Sequence, residues 1–251
     1  MSCVNIRGCR IGEGRPKVIL PIVERTEAAI LEKAAQFSTL LADCVEWRAD
    51  WFEGFQSPAA IARCVQKLRV VLRDKLLLVP FRTKAEGGEQ ALSHPEYLAF
   101  LSLILDTDCA DLLDIEFFTA GSDLPKLVEQ AHSAGVAVVC SSHDFAKTPP
   151  RAELVSRMVQ MQQAGADLPK LAVMPRCRSD VLELLTATAE MADLHPETPV
   201  ITMSMGSLGA VSRLAGETFG SAMTFANPGQ ASAPGQVPLD IVNEVLNALH
   251  L

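Results

Sequence analysis

Short apolar segments recur along the chain and alternate with longer amphipathic segments. The apolar segments contain few polar positions, which is typical of β-strands that are buried on both faces. Strands buried on both faces indicate a parallel sheet that is covered by helices. Strands are predicted at residues 17–23, 43–48, 76–81, 111–115, 136–141, 170–174, 200–204 and 222–225.

The segments between these strands have the length and the period of helices. Ser57 and Pro58 suit the N-cap and the first position of one helix, and Gly135 suits the position after the end of another. Because strands and helices alternate, right-handed crossovers and a parallel sheet are expected. Helices are predicted at residues 27–37, 58–72, 122–134, 151–163, 180–191 and 239–249.

Eight strand–helix units in 251 residues predict a closed (β/α)8 TIM barrel that forms one domain over residues 1–251. An open doubly wound sheet is the alternative fold. That fold usually has a glycine-rich fingerprint after its first strand, whereas this sequence has Val23-Glu24-Arg25-Thr26 there. Residues before position 17 do not fit the repeat, and their alternation around Gly8 predicts a β-hairpin that closes the bottom of the barrel.

Charged residues occur where a strand buried on both faces should be apolar. Glu46, Arg48 and Asp50 are expected on one face of their strand, and Asp114 and Glu116 share a face of another. Because an unpaired charge inside a barrel is costly, these groups are expected to pair with one another or with a ligand. A structural ion-pair network and a substrate site therefore both stay open. The active sites of TIM barrels lie at the C-terminal ends of their strands.

Lys170 lies in a run, residues 168–174, in which every other residue is apolar. Either its amine reaches solvent at the bottom of the barrel, or it is held away from water, as a Schiff-base nucleophile requires. His143 lies at a strand end, where it is either a general acid/base or a histidine with a structural hydrogen bond.

Composition narrows the class of protein. The 22 basic and 30 acidic residues give a formal charge of −8, which argues against binding to nucleic acid or to a membrane surface. The apolar runs are too short to span a bilayer, and the N-terminus lacks the apolar core of a signal peptide. The 7 cysteines show no CxxC pair and no metal-ligand spacing, which favours reduced thiols in a cytoplasmic protein without a metal.

Eight blocks of the sequence closely resemble the type I 3-dehydroquinate dehydratases of the shikimate pathway. The resemblance implies a (β/α)8 barrel that catalyses the reversible syn dehydration of 3-dehydroquinate to 3-dehydroshikimate without a metal or an organic cofactor. The blocks are EWRAD (46–50), FRTKAEGG (81–88), DIE (114–116), HDF (143–145), PKLA (169–172), MSMG (203–206), SRL (212–214) and ASAPGQ (231–236).

The resemblance also implies a role for each matching residue. Lys170 matches the lysine that attacks the C3 ketone, so that the iminium can stabilise a carbanion at C2. His143 matches the general acid/base, Glu86 the acid that orients it, and Arg213 the clamp on the substrate carboxylate. Glu46, Arg48, Arg82, Ser232 and Gln236 match groups around the ring hydroxyls, and Met203, Met205 and Phe225 match an apolar wall.

Two other functions stay open from the sequence. One is a different Schiff-base barrel lyase of the class I aldolase kind, which usually binds phosphate near its last two strands, where this sequence has Arg213 and the segment 232–236. The other is a non-catalytic barrel that acts as a binding module, against which the intact Lys170 and His143 argue. Relatives of this family are often dimers, so a homodimer is expected, with 3-dehydroquinate as its small-molecule partner.

Overall fold

The computed structural model describes residues 2–229 and 233–250, and parallel strands form its centre. The N-terminal hairpin comprises β1 (Val4–Ile6) and β2 (Cys9–Ile11), which pair antiparallel. The strands that follow are β3 (Lys17–Ile22), β4 (Cys44–Trp47), β5 (Leu76–Pro80), β6 (Leu112–Glu116), β7 (Ala137–Asp144), β8 (Leu168–Val173), β9 (Ile201–Ser204), β10 (Met223–Asn227) and the short β11 (Val237–Pro238).

Helices separate the strands, as the alternation predicted. Ser57 caps the second long helix by accepting the N–H of Ala60, and Gly135 adopts a φ of +73°, which suits a position just past a helix end. The helices are α1 (Glu27–Ser38), α2 (Pro58–Leu72), α3 (His94–Asp106), α4 (Phe117–Ala120), α5 (Leu124–Ser133), α6 (Arg151–Gln163), α7 (Arg178–Leu194), α8 (Val211–Leu214), α9 (Gly216–Phe219) and α10 (Leu239–Ala248).

Helix α3 was missing from the sequence-based expectations. Its residues 97–105 are apolar except for Ser102, so no polar face marks a helical period. The helix begins with a capping box in which the Glu96 carboxylate accepts the backbone N–H of Ser93. A helix that is apolar on most sides therefore escapes detection by amphipathicity alone.

The sheet curls into a barrel. Its strands pair in parallel in the order β10, β3, β4, β5, β6, β7, β8 and β9. The two ends of this row meet at an isolated parallel bridge between Val200 and Ser221, where the N–H of Ala222 donates to the Val200 carbonyl at 2.8 Å. The predicted TIM-barrel fold is confirmed.

The N-terminal hairpin covers one end of the barrel. Ile11 of β2 is fully buried in a cluster with Leu76, Leu112 and Leu168, each of which begins a barrel strand. Because these residues mark the N-terminal ends of the strands, the hairpin closes the bottom of the barrel, as predicted. No helix among the described residues is long and apolar enough to cross a membrane.

Candidate active site

Polar side chains gather at the C-terminal ends of the barrel strands, opposite the hairpin. They surround a cavity of about 250 Å³. The structure brings together every site residue predicted from the sequence except Ser232, which lies outside the described residues. The cavity is lined by Glu46, Arg48, Arg82, Glu86, Gly87, His143, Phe145, Lys170, Ala172, Met203, Met205, Arg213, Phe225, Ala233, Pro234 and Gln236.

Lys170 points into this cavity from β8 and is only 2% exposed. Its Nζ donates to Asp114 Oδ2 at 3.0 Å and lies 3.8 Å from Glu46 Oε1. On another side, Nζ lies 4.8 Å from the centroid of the Phe225 ring, within the range of a cation–π contact. The first of the two explanations for Lys170, an amine that reaches solvent at the bottom of the barrel, is therefore wrong.

Asp114 lies between two of the cations of the site, Lys170 and Arg82. Its Oδ2 accepts from both Lys170 and Arg82 Nη2, the latter at 2.8 Å, and its Oδ1 accepts from Ser141 Oγ at 2.6 Å. Burial alone would raise the pKa of Asp114, but the charges of Arg82 and Lys170 lower it to about 2. Asp114 is consequently ionised at neutral pH and fixes the direction of the lysine.

His143 and Glu86 form a second pair across the cavity. Strand β7 continues past the predicted end at residue 141, so that His143 remains in the ladder beside Ala172 of β8. Glu86 Oε2 accepts the backbone N–H of His143 at 3.0 Å and lies 2.9 Å from the ring Nδ1. The carboxylate therefore contacts both the main chain and the ring of His143, which fixes the ring orientation.

The environment of the His143 ring favours its uncharged form. Burial lowers its pKa well below the usual value, and the positive charges of Arg82 and Lys170 act in the same direction. Burial also raises the pKa of Glu86 to about 8, although Arg82 opposes this. Because the two groups share a hydrogen bond, they titrate as a coupled pair. In the form with an ionised Glu86, Nδ1 carries the proton and Nε2 is free to accept one.

Arg48 pairs with Asp50, although the two residues do not lie on one face of a strand as predicted. Strand β4 ends at Trp47, and Asp50 lies in a short 3-10 turn, Ala49–Trp51, so the expectation that the strand continues to Asp50 is wrong. The guanidinium instead reaches Asp50 with two hydrogen bonds of 2.7 Å. Asp50 is fully buried and also accepts the N–H of Glu89 at 3.1 Å. This ion pair has a structural role, while Arg48 still lines the cavity.

Arg213 is buried without a carboxylate partner among the described residues. Its Nη2 donates to the Pro234 carbonyl at 3.2 Å, its Nη1 contacts Met203 Sδ at 3.6 Å, and within residues 2–229 and 233–250 its Nε has no hydrogen-bond partner. Burial lowers its pKa to about 10, so it remains charged at neutral pH. A buried cation with donors left over suits an anionic ligand.

The segment that carries Gln236 packs tightly beside Arg213. The N–H of Gly206 donates to the Pro234 carbonyl at 3.1 Å. A Cβ added at Gly235 would lie 2.1 Å from the Gly206 carbonyl oxygen, so only glycine permits this approach. The segment thereby closes one side of the cavity and helps to hold Arg213.

Two features of the site were not assigned roles from the sequence. The ring of Phe145 packs on Gly87, where a Cβ would lie 2.2 Å from the ring, and both residues line the cavity. Asp114 contacts Lys170 directly, although the sequence showed only that it lies on a polar strand face. The signal that could have found Asp114 is its position two residues after the apolar Leu112 on the same inward face.

A larger cleft, of about 580 Å³, lies at the bottom of the barrel beside the hairpin. Several of its charged side chains already pair with one another, as Arg69 does with Asp111 and His132 with Asp167. The upper cavity is therefore the better candidate for chemistry. Among the described residues, no group of three or more His, Cys, Asp and Glu side chains is placed to hold a metal ion, and metal independence stays a prediction.

Comparison with known proteins decides the family. A family model described as Type I 3-dehydroquinase matches residues 18–251. The chain belongs to this family. A 3-dehydroquinate dehydratase from Bacillus licheniformis is 46% identical over 247 residues, which cover 98% of this chain and 97% of the relative. The 3-dehydroquinate dehydratase from Bacillus subtilis is 45% identical over 250 residues, which cover 100% of this chain and 98% of that relative.

Solved structures of the family share the fold throughout. A type I 3-dehydroquinate dehydratase from Clostridium difficile, solved with covalently modified comenic acid, has a TM-score of 0.96 at 42% identity and covers 99% of this chain and 98% of its own. The enzyme from Enterococcus faecalis has a TM-score of 0.93 at 40% identity, covering 99% of this chain and 100% of its own. The resemblance inferred from the eight sequence blocks is confirmed.

Proposed function

We propose that this chain dehydrates 3-dehydroquinate to 3-dehydroshikimate through a Schiff base on Lys170. Family membership gives the reaction, that of a hydro-lyase of the shikimate pathway, and decides against the class I aldolase and binding-module alternatives. The assignment of roles to residues is our proposal. The single observation that carries it is the buried Lys170 amine in a cavity that it shares with His143 and Arg213.

The chemistry requires a nucleophile and one group that moves protons. The Lys170 amine, once unprotonated, adds to the C3 ketone and expels water to give an iminium. His143 removes the C2 proton, and the electron pair moves into the iminium. The C1 hydroxyl then leaves as water with the proton that His143 returns, and hydrolysis of the imine frees the lysine. The net change is the loss of one water from the substrate.

The surroundings of His143 support its double role. An imidazole must be uncharged before it can accept a proton, and the lowered pKa of His143 favours that form at neutral pH. Glu86 orients the ring through Nδ1, so Nε2 is the atom we assign to proton transfer. Returning the proton requires the same atom to serve as an acid, which an imidazole can do without moving.

The remaining residues are assigned to substrate binding. Arg213 takes the carboxylate, because it is the cavity cation without an acidic partner among the described residues. The ring of Phe225 lies against the Lys170 amine and excludes water from that side of the amine. We assign Glu46, Arg48, Arg82, Gln236 and Ser232 to the ring hydroxyls, and Met203, Met205 and Phe225 to the apolar wall; Ser232 enters only through the resemblance.

We also propose that the chain is one domain and that it acts as a cytoplasmic homodimer without a metal or an organic cofactor. The family match over residues 18–251 supports one domain. The homodimer is what the resemblance to the family implies. The seven cysteines are free thiols, which agrees with a reducing compartment.

Borohydride trapping tests the central assignment. Reduction in the presence of 3-dehydroquinate should inactivate the enzyme and add the mass of the reduced adduct to the peptide that contains Lys170. Lys170→Ala should lose more activity than the roughly 10²–10⁴-fold that removal of a general base causes. Lys147, which is exposed, provides the control, since Lys147→Ala should keep wild-type turnover and labelling. An adduct on any other lysine would overturn the assignment.

A further inference from the structure

Glu116 carries a set of hydrogen bonds that the proposed reaction does not use. It is the last residue of β6 and is fully buried. We propose that Glu116 is a positioning residue, which fixes the turn 82–88 so that Glu86 meets His143. This inference rests on the proposed function only for its kinetic consequence, since the orientation of His143 can be measured without turnover.

The Glu116 carboxylate accepts four hydrogen bonds. Its Oε1 accepts from Arg82 Nη1 at 3.0 Å and from the backbone N–H of Thr83 at 2.8 Å. Its Oε2 accepts from Thr83 Oγ1 at 2.7 Å and from Thr119 Oγ1 at 2.6 Å. The two oxygens of a carboxylate have enough lone pairs to accept from all four donors, so Glu116 joins the turn to Thr119 and Arg82 at one point.

Thr83 connects Glu116 to the backbone of Glu86. The Thr83 carbonyl accepts the N–H of Glu86 at 3.0 Å and the N–H of Gly88 at 2.8 Å. The turn is also tight, because a Cβ added at Gly88 would lie 1.9 Å from the Arg82 carbonyl oxygen. Thr83 therefore links the two carboxylates. It donates its N–H and its hydroxyl to Glu116, and its carbonyl accepts the N–H of Glu86.

Arg82 provides a second connection between the two carboxylates. Its Nη1 donates to Glu116 and lies 3.5 Å from Glu86 Oε2. Its other nitrogen, Nη2, donates to Asp114. Without Glu116, Arg82 would retain Asp114 and Glu86 as its acidic contacts, and we expect it to shift toward Glu86 and away from its present place. Glu86 would then be drawn from the His143 ring.

Two substitutions separate charge from shape. In Glu116→Gln the amide oxygen can still accept from Arg82 and from the Thr83 N–H, while the NH₂ faces two hydroxyls that can rotate to accept. In Glu116→Ala all four bonds are lost. Tyr97→Phe is the matched control: the Tyr97 hydroxyl accepts the backbone N–H of Glu116 at 2.8 Å and is equally buried, but it does not touch the carboxylate.

The deciding measurement is ¹⁵N NMR of the His143 ring over a pH titration, together with kcat and KM. At a pH above about 8, where Glu86 is ionised, we expect the proton on Nδ1 in wild type and in Tyr97→Phe. In Glu116→Ala we expect a mixture of tautomers, a shifted pH profile and a kcat that is about 10–100-fold lower, because the turn that orients Glu86 toward His143 has lost its anchor. Glu116→Gln should restore most of the Nδ1 preference and part of kcat.

A wild-type tautomer and titration in Glu116→Ala would overturn the proposal, and so would an equal effect in Tyr97→Phe. If Glu116→Ala does not fold, Thr83→Val replaces it, because this variant removes one of the four hydrogen bonds to Glu116. It should shift the His143 titration in the same direction by a smaller amount. An unchanged titration in Thr83→Val would also overturn the proposal. A wild-type enzyme without dehydratase activity would contradict the proposed function alone, since the tautomer measurement would still decide the role of Glu116.

Discussion

The lower and upper layers of the barrel interior are built from the same strands but have opposite chemistry. Strand β6 contributes Leu112 to the lower layer and, two residues on, Asp114 to the upper layer. Strand β8 repeats the pattern with Leu168 and Lys170. All four side chains are buried, so burial does not distinguish the two layers. The layers differ in their contacts, which are apolar for Leu112 and Leu168 and charged for Asp114 and Lys170.

The two layers contribute differently to stability. Apolar burial in the lower layer stabilises the fold by about 25 cal/mol per Å² of surface removed from water. In the upper layer, the desolvation of Asp114, Arg82 and Lys170 offsets much of their mutual attraction. We infer that the lower layer holds the barrel together, while the charges of the upper layer are retained for the reaction.

The largest expected contrast is between two histidines at opposite ends of the barrel. His143→Ala should lower kcat by about 10²–10⁴-fold, because the proposed proton carrier is lost. Its imine should still form and be trapped by borohydride, though more slowly. His132 at the bottom pairs with Asp167 at 2.8 Å, and His132→Ala should leave kcat unchanged.

Steady-state kinetics and mass spectrometry of the trapped enzyme check both variants. Wild-type turnover in His143→Ala would show that His143 is only a structural residue at a strand end. The base would then have to be sought among Glu46, Glu86 and Asp114. A large loss in His132→Ala would instead show that the two ends of the barrel are not separable in function.

Much of this architecture could be predicted because burial on both faces leaves a plain signal. Apolar runs located the barrel strands, and charged residues within them, such as Glu46 and Lys170, marked the upper layer. The contact between Asp114 and Lys170 could not be predicted, because it joins β6 to β8 across β7 and so depends on which strands face each other inside the closed barrel. The ion pair between Arg48 and Asp50 likewise could not be predicted. It depends on the turn Ala49–Trp51, where the sequence pattern had predicted that the strand continues.

A smaller effect, on stability alone, is expected in the lower layer. Leu112→Ala should lower the free energy of unfolding by about 2–5 kcal/mol, because it removes buried apolar contacts and leaves a cavity. Activity per folded molecule should stay near wild type. Urea unfolding and kinetics under native conditions measure the two quantities.

The control for Leu112 is Leu182 on α7, which is 62% exposed. Leu182→Ala should change the free energy of unfolding by less than about 0.5 kcal/mol. A kcat in Leu112→Ala that falls as far as in a site variant would contradict the separation of the layers, since it would mean that packing below the site sets its geometry.

The smallest expected effect is the dependence of stability on acid pH. Arg82 and Lys170 lower the pKa of Asp114 to about 2 in the fold, against 3.8 in the unfolded chain. A lowered carboxyl pKa contributes stability that is fully present above about pH 4 and is lost as the pH falls from there through about 2. The difference corresponds to about 2 kcal/mol. Asp114→Asn should therefore be less stable than wild type at pH 7 and should lose less on acidification.

Urea unfolding at intervals between pH 5 and pH 2 measures this slope. Asp180 is the matched control, because its pKa is also lowered, by hydrogen bonds from the N–H groups of Arg176 and Cys177, but it is partly exposed to solvent at the start of α7. Asp180→Asn should flatten the curve far less, since water screens a partly exposed carboxylate more than the buried Asp114. Equal slopes for Asp114→Asn and wild type would show that the Asp114 charge is not stabilised by Arg82 and Lys170. The upper layer would then not be the source of the pH dependence.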